Sequence, residues 1–383
     1  MPLDDAIAAR LSRPIKIRSV EAIAVALPLT KPMKMAGVEI RTADNLVVRI
    51  EADDGTCGWG ESASAPTMTG DTLPAMVAAV RDVLAPIVKG QDARGRAKLA
   101  AQLAHALHGN TGARSAVETA LDDLVGRTLG VTFADLHGGA VRDAVAPMWL
   151  IGNATVEEDI AEAKARMAEG YAFFKLKVGV KSVGQEIEAA IAMRKAVGSE
   201  VTLCADANGG FDYPRAAKFL AGVGPAGLAF LEQPLPPENL AGLARLARST
   251  ALPLGADEGI HSLADIEAHA AAGAGGLSLK LIKLGGPSAT LRAAALAAHR
   301  GLSINLAAKV AESSLGSAGT LHLATMVPAA DWGVSLTHVY LAEDIARPVL
   351  RIVDGRVRPP AGAGLGVEVD EAAVRRFTLK PGG

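Results

Sequence analysis

The sequence predicts an α/β fold: a modified (β/α)8 barrel of the TIM type, with an α+β capping domain formed by the N-terminal region and the C-terminal tail. The first observation behind this prediction is a rhythm of short, apolar, strand-like segments separated by stretches of helical character. The residues that end these segments lie 29, 26, 25, 23, 25 and 27 positions apart, and they are Lys177, Asp206, Glu232, Asp257, Lys280, Asn305 and Trp332. A strand plus a helix of that combined length is one βα repeat. The second observation is the apolar run 148–151, which adds one strand and completes the eight of a closed barrel.

The chain divides into three predicted segments. Its 383 residues exceed what one barrel requires, and half of them are hydrophobic, which is enough for a large core. Residues 15–139 are expected to form an N-terminal α+β capping domain, residues 145–341 the barrel, and residues 342–383 a tail that returns to the cap. Within the cap, alternating and helical patterns predict three strands and three helices, over residues 15–29, 45–51 and 57–61 and over residues 72–84, 96–108 and 113–130.

Charge and composition exclude several classes of partner. The formal net charge is −2, which gives no electrostatic attraction for nucleic acid or for an anionic membrane. No apolar run reaches the length of a membrane span and no signal peptide opens the chain, so we expect a cytoplasmic protein. Cys57 and Cys204 lie 147 positions apart without zinc-type spacing, which is typical of two unpaired thiols in a reducing compartment.

Two lysines in one strand-like run are the least ordinary feature of the chain. The run at residues 173–179 is mostly apolar, and Lys175 and Lys177 point to the same face because side chains alternate along a strand. Neighbouring ammonium groups repel each other and are costly to bury. One interpretation is an edge strand whose lysines face water. The other is a catalytic pair at the barrel mouth, which the residues downstream favour.

Three carboxylates are predicted to meet beside these lysines. Asp206, Glu232 and Asp257 end consecutive strands, and in such barrels the chemistry lies at the C-terminal ends of the strands. Three like charges in one place need a cation, and an all-oxygen set of ligands favours Mg²⁺, or Mn²⁺. Because the carboxylates repel one another, we expect Glu232→Leu to fold and even to stabilise the metal-free protein.

This combination of groups suits the removal of a proton next to a carboxylate. A bound metal neutralises the substrate carboxylate while negative charge develops on it. Lys177 is predicted to be the base, with Lys175 lowering its pKa and contacting the substrate, and with Lys280 facing both from across the barrel. A useful base needs a pKa roughly 3 units below the usual value of about 10.4, which a second ammonium, the metal and exclusion of water provide.

Six short motifs, spread over nearly the whole chain, carry a family resemblance. They are Lys175-x-Lys177, Asp206-Ala207-Asn208, Glu232-Gln233-Pro234, Asp257-Glu258, Lys280-x-x-Lys283-x-Gly285-Gly286 and the Gly-Ala-Gly-Leu-Gly run at 362–366. The set resembles the enolase superfamily, and within it the muconate lactonizing enzyme subgroup. The resemblance implies Mg²⁺ on the three carboxylates, acid/base lysines at Lys177 and Lys280, a small carboxylate substrate and a homo-oligomer of between two and eight subunits. The mandelate racemase branch would have a His after the seventh strand, where this chain has Asn305.

The reaction within the subgroup is left open, because cycloisomerases, o-succinylbenzoate synthases, N-acylamino acid racemases and dipeptide epimerases all carry this lysine arrangement. The segment Asp331-Trp332-Gly333-Val334-Ser335 lacks the second Asp of dipeptide epimerases and also the Glu of muconate cycloisomerases. We rank racemisation or epimerisation of an amino-acid derivative first, a cycloisomerase of the muconate lactonizing type second and syn-dehydration third. A barrel that only binds a small ligand is the non-enzymatic alternative.

Six further residues are candidates for supporting or substrate-binding roles: Asn208, Glu258, Lys283, Asn305, Glu312 and Trp332. The first three belong to the motifs, Asn305 ends the seventh predicted strand, and Glu312 belongs to a polar segment after it that is expected to face the pocket. Trp332 either stacks on a substrate or packs against the barrel rim. Two loops, residues 30–39 and 62–70, are predicted to close over the barrel mouth, with ordinary connecting loops as the alternative.

Overall fold

The predicted barrel is present. The computed structural model describes residues 12–35, 38–152 and 154–380. Eight parallel strands are hydrogen-bonded in chain order, and a bridge between Pro147 and Val334 joins the two ends of this sheet and closes it. The strands are β4 (Trp149–Ile151), β5 (Phe173–Lys177), β6 (Thr202–Asp206), β7 (Leu231–Glu232), β8 (Leu254–Ala256), β9 (Gly276–Leu279), β10 (Ser303–Ala307) and β11 (Val334–Ser335).

Helices follow seven of the eight strands. They are α5 (Val156–Ala168), α6 (Val183–Val197), α7 (Tyr213–Gly222), α8 (Leu240–Ala247), α9 (Leu263–Ala271), the pair α10 (Leu281–Leu284) and α11 (Pro287–His299), and α12 (Ser314–Met326). Side-chain caps at Thr155, Asp212 and Ser262 start three of them by accepting a first-turn N–H. β11 is followed by a 3₁₀ turn, His338–Tyr340, so the eighth βα unit lacks the α-helix that the repeat predicted.

The N-terminal part of the cap is an antiparallel sheet covered by helices. Its strands are β1 (Ile17–Met35), β2 (Val38–Ala52) and β3 (Cys57–Ala63), and its helices are α1 (Leu73–Ala78), continued by a π-helical turn over Ala79–Leu84, α2 (Ala85–Val88), α3 (Arg96–Ala106) and α4 (Thr111–Leu129). Helix α4 lies directly on β3, where Gly58 and Gly60 leave room for its backbone. A Cβ at Gly60 would overlap the carbonyl oxygen of Ala116, so only glycine permits this approach.

The first predicted lid is not a loop. Thr30–Met35 continues β1 and Val38 begins β2, so the described part of the segment 30–39 belongs to two paired strands, and residues 36–37 lie outside the described residues. A register shift between Pro28 and Met33 separates this outer part from the main ladder. Proline is tolerated at positions 28 and 32 because β1 is an edge strand, whose outward N–H groups need no partner.

The C-terminal segment runs back across both parts of the molecule. Val357 pairs with Val145 at the barrel, and Leu379 N donates to Ala24 O of β1. The segment contains the short strands β12 (Ala346–Arg347), β13 (Ile352–Val353), β14 (Arg356–Val357) and β15 (Glu368–Val369) and the helix α13 (Glu371–Phe377). Within the described residues, no helix combines the length and the apolar character needed to cross a lipid bilayer.

An aromatic cluster fills the interior of the barrel beneath the strand ends. Trp332 stacks on Phe230 with ring centroids 3.8 Å apart and an angle of 4° between the planes, and both pack with Phe173. Gly255 and Gly276 make space for the indole, since a Cβ at either would lie within 2.8 Å of it. Trp332 precedes β11 instead of ending it, so the prediction that it lies at the mouth is wrong. Strand ends predicted from sequence are uncertain by a few residues. Here the strand ends three residues later than predicted, at Ser335, which places the Trp332 side chain below the strand ends.

Candidate active site

A cavity of about 420 Å³ opens at the C-terminal ends of the barrel strands. Its floor carries the ionisable residues that the repeat spacing predicted to meet: Lys175, Lys177, Asp206, Glu232, Asp257 and Lys280. Its roof comes from the cap. Ile40–Asp44 of β2 and residues 64–68 line it, so the second predicted lid does border the cavity. Ile40 directly follows the first predicted lid.

The lysine pair lies on an inner strand. β5 is hydrogen-bonded to β4 on one side and β6 on the other, which excludes the exposed edge-strand interpretation. Lys177 pairs in register with Asp206, and its Nζ donates to Asp206 Oδ2 at 2.6 Å and to Asn208 Oδ1 at 2.9 Å. Lys175 forms a buried ion pair with Glu232. Burial alone would lower the pKa of Lys175, but the carboxylates of Glu232 and Asp206 outweigh burial and raise it, so this side chain is an ammonium.

The opposite side of the cavity is built around Asp257, which follows β8. Lys280, directly after β9, forms a buried ion pair with it. Lys283, on α10 and wholly inaccessible to solvent, donates to Asp257 Oδ1 at 2.7 Å and to the Ser278 carbonyl at 3.0 Å. Burial raises the pKa of Asp257, yet the two ammonium groups outweigh it and hold that pKa well below its usual range. Lys283 does not line the cavity, so it orients Asp257 from behind.

The three carboxylates fit a hard divalent cation by their chemistry. Asp206 and Glu232 are register partners on β6 and β7, and Asp257 comes one residue after β8, so they stand on neighbouring strand ends. All their donors are oxygens, which is the set that Mg²⁺ prefers. As they stand, each is turned towards a lysine, and no three His, Cys, Asp or Glu side chains of the described residues converge closely enough to enclose an ion. The lysine ammonium groups neutralise the three carboxylates here, and a bound cation would add to that positive charge.

Asn208 and Glu258 form the edge of the same network. Asn208 has a φ of 43°, in the left-handed region, which turns its N–H towards Asp206 Oδ1 at 2.9 Å. Its side-chain amide donates to Glu258 Oε1 at 2.8 Å. Burial, with the charge of Asp257 as the second cause, raises the pKa of Glu258 to about 7. Both residues line the cavity.

Two more predicted site residues lie outside the cavity. Asn305 is in the middle of β10, not at its end, and its amide donates to the carbonyls of Trp332 and Gly333. It reaches the site through two serines. Ser278 Oγ lies 3.2 Å from Asn305 Oδ1 and 2.5 Å from Glu232 Oε1, and Ser335, which lines the cavity, donates to Asn305 Oδ1 at 3.4 Å. Glu312 is buried between barrel and cap, where it accepts the N–H groups of Ala63 and Lys309. The expectation that Glu312 faces the pocket is wrong, because the chain after β10 turns it away.

Several cavity residues were not singled out from the sequence. Lys309, Ser335 and Thr337 line the cavity from the last two strands, and Arg41 and Asp44 line it from the cap. Lys309 belongs to the polar segment after β10, so its type and place were visible, but its role was not. The sequence did not indicate the roles of Arg41 and Asp44. The periodicity of a strand predicts which residues face the core of their own domain, but not which residues face another domain.

The comparisons with known proteins agree with this geometry. Residues 17–138 match the family described as "Mandelate racemase / muconate lactonizing enzyme, N-terminal domain", and residues 158–373 match "Enolase C-terminal domain-like". The chain belongs to the mandelate racemase/muconate lactonizing enzyme family of the enolase superfamily.

Individual members of the enolase superfamily resemble the chain over almost its full length. Chloromuconate cycloisomerase from Cupriavidus necator is 30% identical over 95% of this chain and 99% of its own. Muconate cycloisomerase 1 from Pseudomonas putida is 31% identical over 96% and 99%. The structure of muconate lactonizing enzyme from Pseudomonas fluorescens complexed with muconolactone superposes with a TM-score of 0.91, at 31% identity over 96% of this chain and 100% of that one. The protein is therefore an enzyme of the enolase superfamily, and the isomerases among its relatives favour the cycloisomerase that we ranked second over the racemase that we ranked first.

Proposed function

We propose that this enzyme is a cycloisomerase that closes an unsaturated dicarboxylate of the muconate type to a lactone. In that reaction an oxygen of one carboxylate bonds to the carbon β to the other carboxylate. The electron pair of the double bond moves to the α-carbon, which then takes a proton. A dianion and one proton thus give a lactone that keeps a single carboxylate.

The main support is the full-length likeness, in sequence and in backbone, to muconate and chloromuconate cycloisomerases. Asp206, Glu232 and Asp257 would hold one Mg²⁺ or Mn²⁺, and a cation there supplies positive charge to the carboxylate next to the α-carbon. Lys177, beside Asp206, delivers the proton. Lys280, on the far side of the cavity, stays an ammonium and stabilises negative charge, since its ion pair with Asp257 raises its pKa despite burial.

The test is conversion of cis,cis-muconate and its chlorinated forms by the purified protein with Mg²⁺ in D₂O at pH 8. We expect loss of the diene absorbance and one deuterium at the α-carbon of the lactone, seen by NMR. The Lys177→Ala variant should form no lactone, while Lys195→Ala, on an exposed helix face remote from the cavity, should match wild type. A wild-type protein that leaves every unsaturated dicarboxylate unchanged would refute the proposal.

Racemisation of an amino-acid derivative is the second candidate, because a lysine stands on each side of the cavity. Its signature is deuterium exchange into both enantiomers of an N-acyl amino acid. Lys177→Ala and Lys280→Ala should then lose exchange with opposite enantiomers. Such mirror-image losses, together with no lactone formation, would put racemisation in place of cyclisation.

A further inference from the structure

Lys309 differs from four other lysines at this end of the barrel because it forms no ion pair with a carboxylate of the described residues. Four described lysines at this end of the barrel each form an ion pair with Asp or Glu, and they are Lys175, Lys177, Lys280 and Lys283. The Nζ of Lys309 lies within 3.4 Å of the Val310 carbonyl, and no salt bridge to it is found among the described residues. A half-buried ammonium without a counter-charge is costly, which is a reason to ask what it binds.

The backbone holds Lys309 firmly at the cavity wall. Its N–H donates to Glu312 Oε2 at 3.2 Å, and its carbonyl accepts from Thr337 Oγ1 at 2.8 Å. Its side chain lines the cavity. Burial, with the ammonium of Lys280 as the next cause, lowers the pKa of Lys309 to about 8. An arriving anion would offset both causes, so ligand binding and protonation of Lys309 favour each other.

Lys309 and the proton-delivering lysine stand on different parts of the barrel rim. Lys309 follows β10, the seventh barrel strand, whereas Lys177 ends β5, the second. Four strands separate them around one side of the barrel and two around the other, so a substrate can contact both from within the cavity. The ammonium of Lys177 is near enough to act on the pKa of Lys309. One carboxylate of a short linear dicarboxylate would lie by Asp206 and Lys177 and the other would lie by Lys309.

We propose that Lys309 binds the remote carboxylate of the substrate and so makes the enzyme selective for dicarboxylates. The inference rests on the proposed function for the identity of the reaction, but it concerns binding, which can be measured without turnover. During lactone closure the remote carboxylate loses its charge, so the contact with Lys309 is stronger before the transition state than in it. Such a contact lowers KM and does not raise kcat.

The binding experiment compares two saturated six-carbon acids, adipate with two carboxylates and hexanoate with one. Titration calorimetry on the Mg²⁺-loaded protein at pH 7 should give wild type a preference for adipate on the order of 10- to 100-fold, the range of one charge-assisted hydrogen bond. Lys309→Met, which replaces the apolar stem of lysine and removes only the ammonium group, should lose that preference by weakening adipate alone. Lys309→Arg should retain most of it, and Lys195→Met should match wild type.

The outcomes separate this inference from the proposed function. If wild type does not prefer adipate, or if Lys309→Met keeps the wild-type ratio while melting normally, the inference is overturned. If the ratio collapses in Lys309→Met but no muconate is cyclised, the dicarboxylate site stands and the proposed reaction fails. If muconate is cyclised, Lys309→Met should raise KM with little change in kcat, and a fall in kcat at unchanged KM would contradict the assigned role.

Discussion

At the scale of single residues, the lysines at the cavity floor and the three carboxylates form a network of buried ion pairs. Lys175 contacts Glu232, Lys177 contacts Asp206, and Asp257 lies between two ammonium groups. Sequence reasoning treated the carboxylates as mutually repelling and expected Glu232→Leu to stabilise the metal-free protein. The structure reverses that expectation, because Glu232 neutralises Lys175.

We now predict that Glu232→Leu destabilises the metal-free protein by about 3–5 kcal/mol, since removing one partner leaves a buried charge uncompensated. The double variant Glu232→Leu, Lys175→Met should recover much of the loss, because neither charge remains. Chemical unfolding in chelator measures both. An unchanged or raised free energy of unfolding for the single variant would restore the original view that repulsion dominates.

Metal removal is the second prediction at this scale. Chelation should abolish activity, and Mg²⁺ or Mn²⁺ should restore it and raise the melting temperature. A cation at 100 times its Kd stabilises by about 2.7 kcal/mol, provided that the unfolded chain does not bind it. Asp206→Asn should lose most of this shift, whereas Asp53→Asn, in an exposed turn of the cap, should keep it. Full activity in chelator would remove the metal from the proposal.

At the scale of secondary structure, close backbone contacts determine how the cap is assembled. β3 approaches α4 so closely that Gly58 and Gly60 have no room for a side chain. The glycines were visible in the sequence, but nothing there distinguished them from turn glycines. Only the position of α4 explains why they stand inside a strand.

We predict that Gly60→Ala destabilises the protein by about 1–3 kcal/mol, because a methyl group here forces the helix and the strand apart. Gly184→Ala is the matched control. Gly184 lies in the first turn of α6 with no atom within 4 Å of its added Cβ, so alanine there should be neutral or stabilising by about 0.5–1 kcal/mol. Equal melting temperatures for the two variants would contradict the packing account.

At the scale of the whole molecule, two buried acids join the cap to the barrel. Glu61 of β3 accepts hydrogen bonds from Ser313 and Gly316, and Glu312 accepts one from Ala63 of β3. Burial raises the pKa of Glu61, and burial followed by the charge of Glu61 raises the pKa of Glu312 to about 8. We call this pair of acids, Glu61 and Glu312, the junction. At neutral pH the carboxyl group of Glu312 therefore keeps a proton that it would release in the unfolded chain.

This linkage predicts a junction that weakens in alkali. A folded pKa above the unfolded value of about 4.5 means that the stabilising contribution is complete below pH 4.5 and is lost as the pH rises through 8. The loss is about 5 kcal/mol for Glu312, at roughly 1.36 kcal/mol per pKa unit. Glu312→Gln should thus gain stability relative to wild type between pH 5 and pH 9, while Glu188→Gln, exposed on α6, should not. Parallel pH profiles for wild type and Glu312→Gln would refute the linkage.

The sequence by itself determined the barrel and the chemistry of its mouth. Repeat spacing placed Lys177, Asp206, Glu232, Asp257 and Lys280 on one rim, because every strand of a parallel barrel ends at the same face. That inference needs only the order of elements along the chain, which the local pattern of apolar and polar residues carries.

Tertiary structure alone decided what depends on contacts between distant segments. Trp332 and Asn305 lie below the rim because pairing with neighbouring strands determines where each strand ends. A shift of two or three residues in a strand end changes the depth of a side chain in the barrel but leaves the pattern of apolar residues the same. Glu312 lies between barrel and cap because Ala63 of the cap donates to it. Lys309 forms no ion pair with a described carboxylate because no such side chain from another element reaches its ammonium group. Local sequence encodes periodicity, whereas partners that lie hundreds of residues apart are determined only when the whole chain packs.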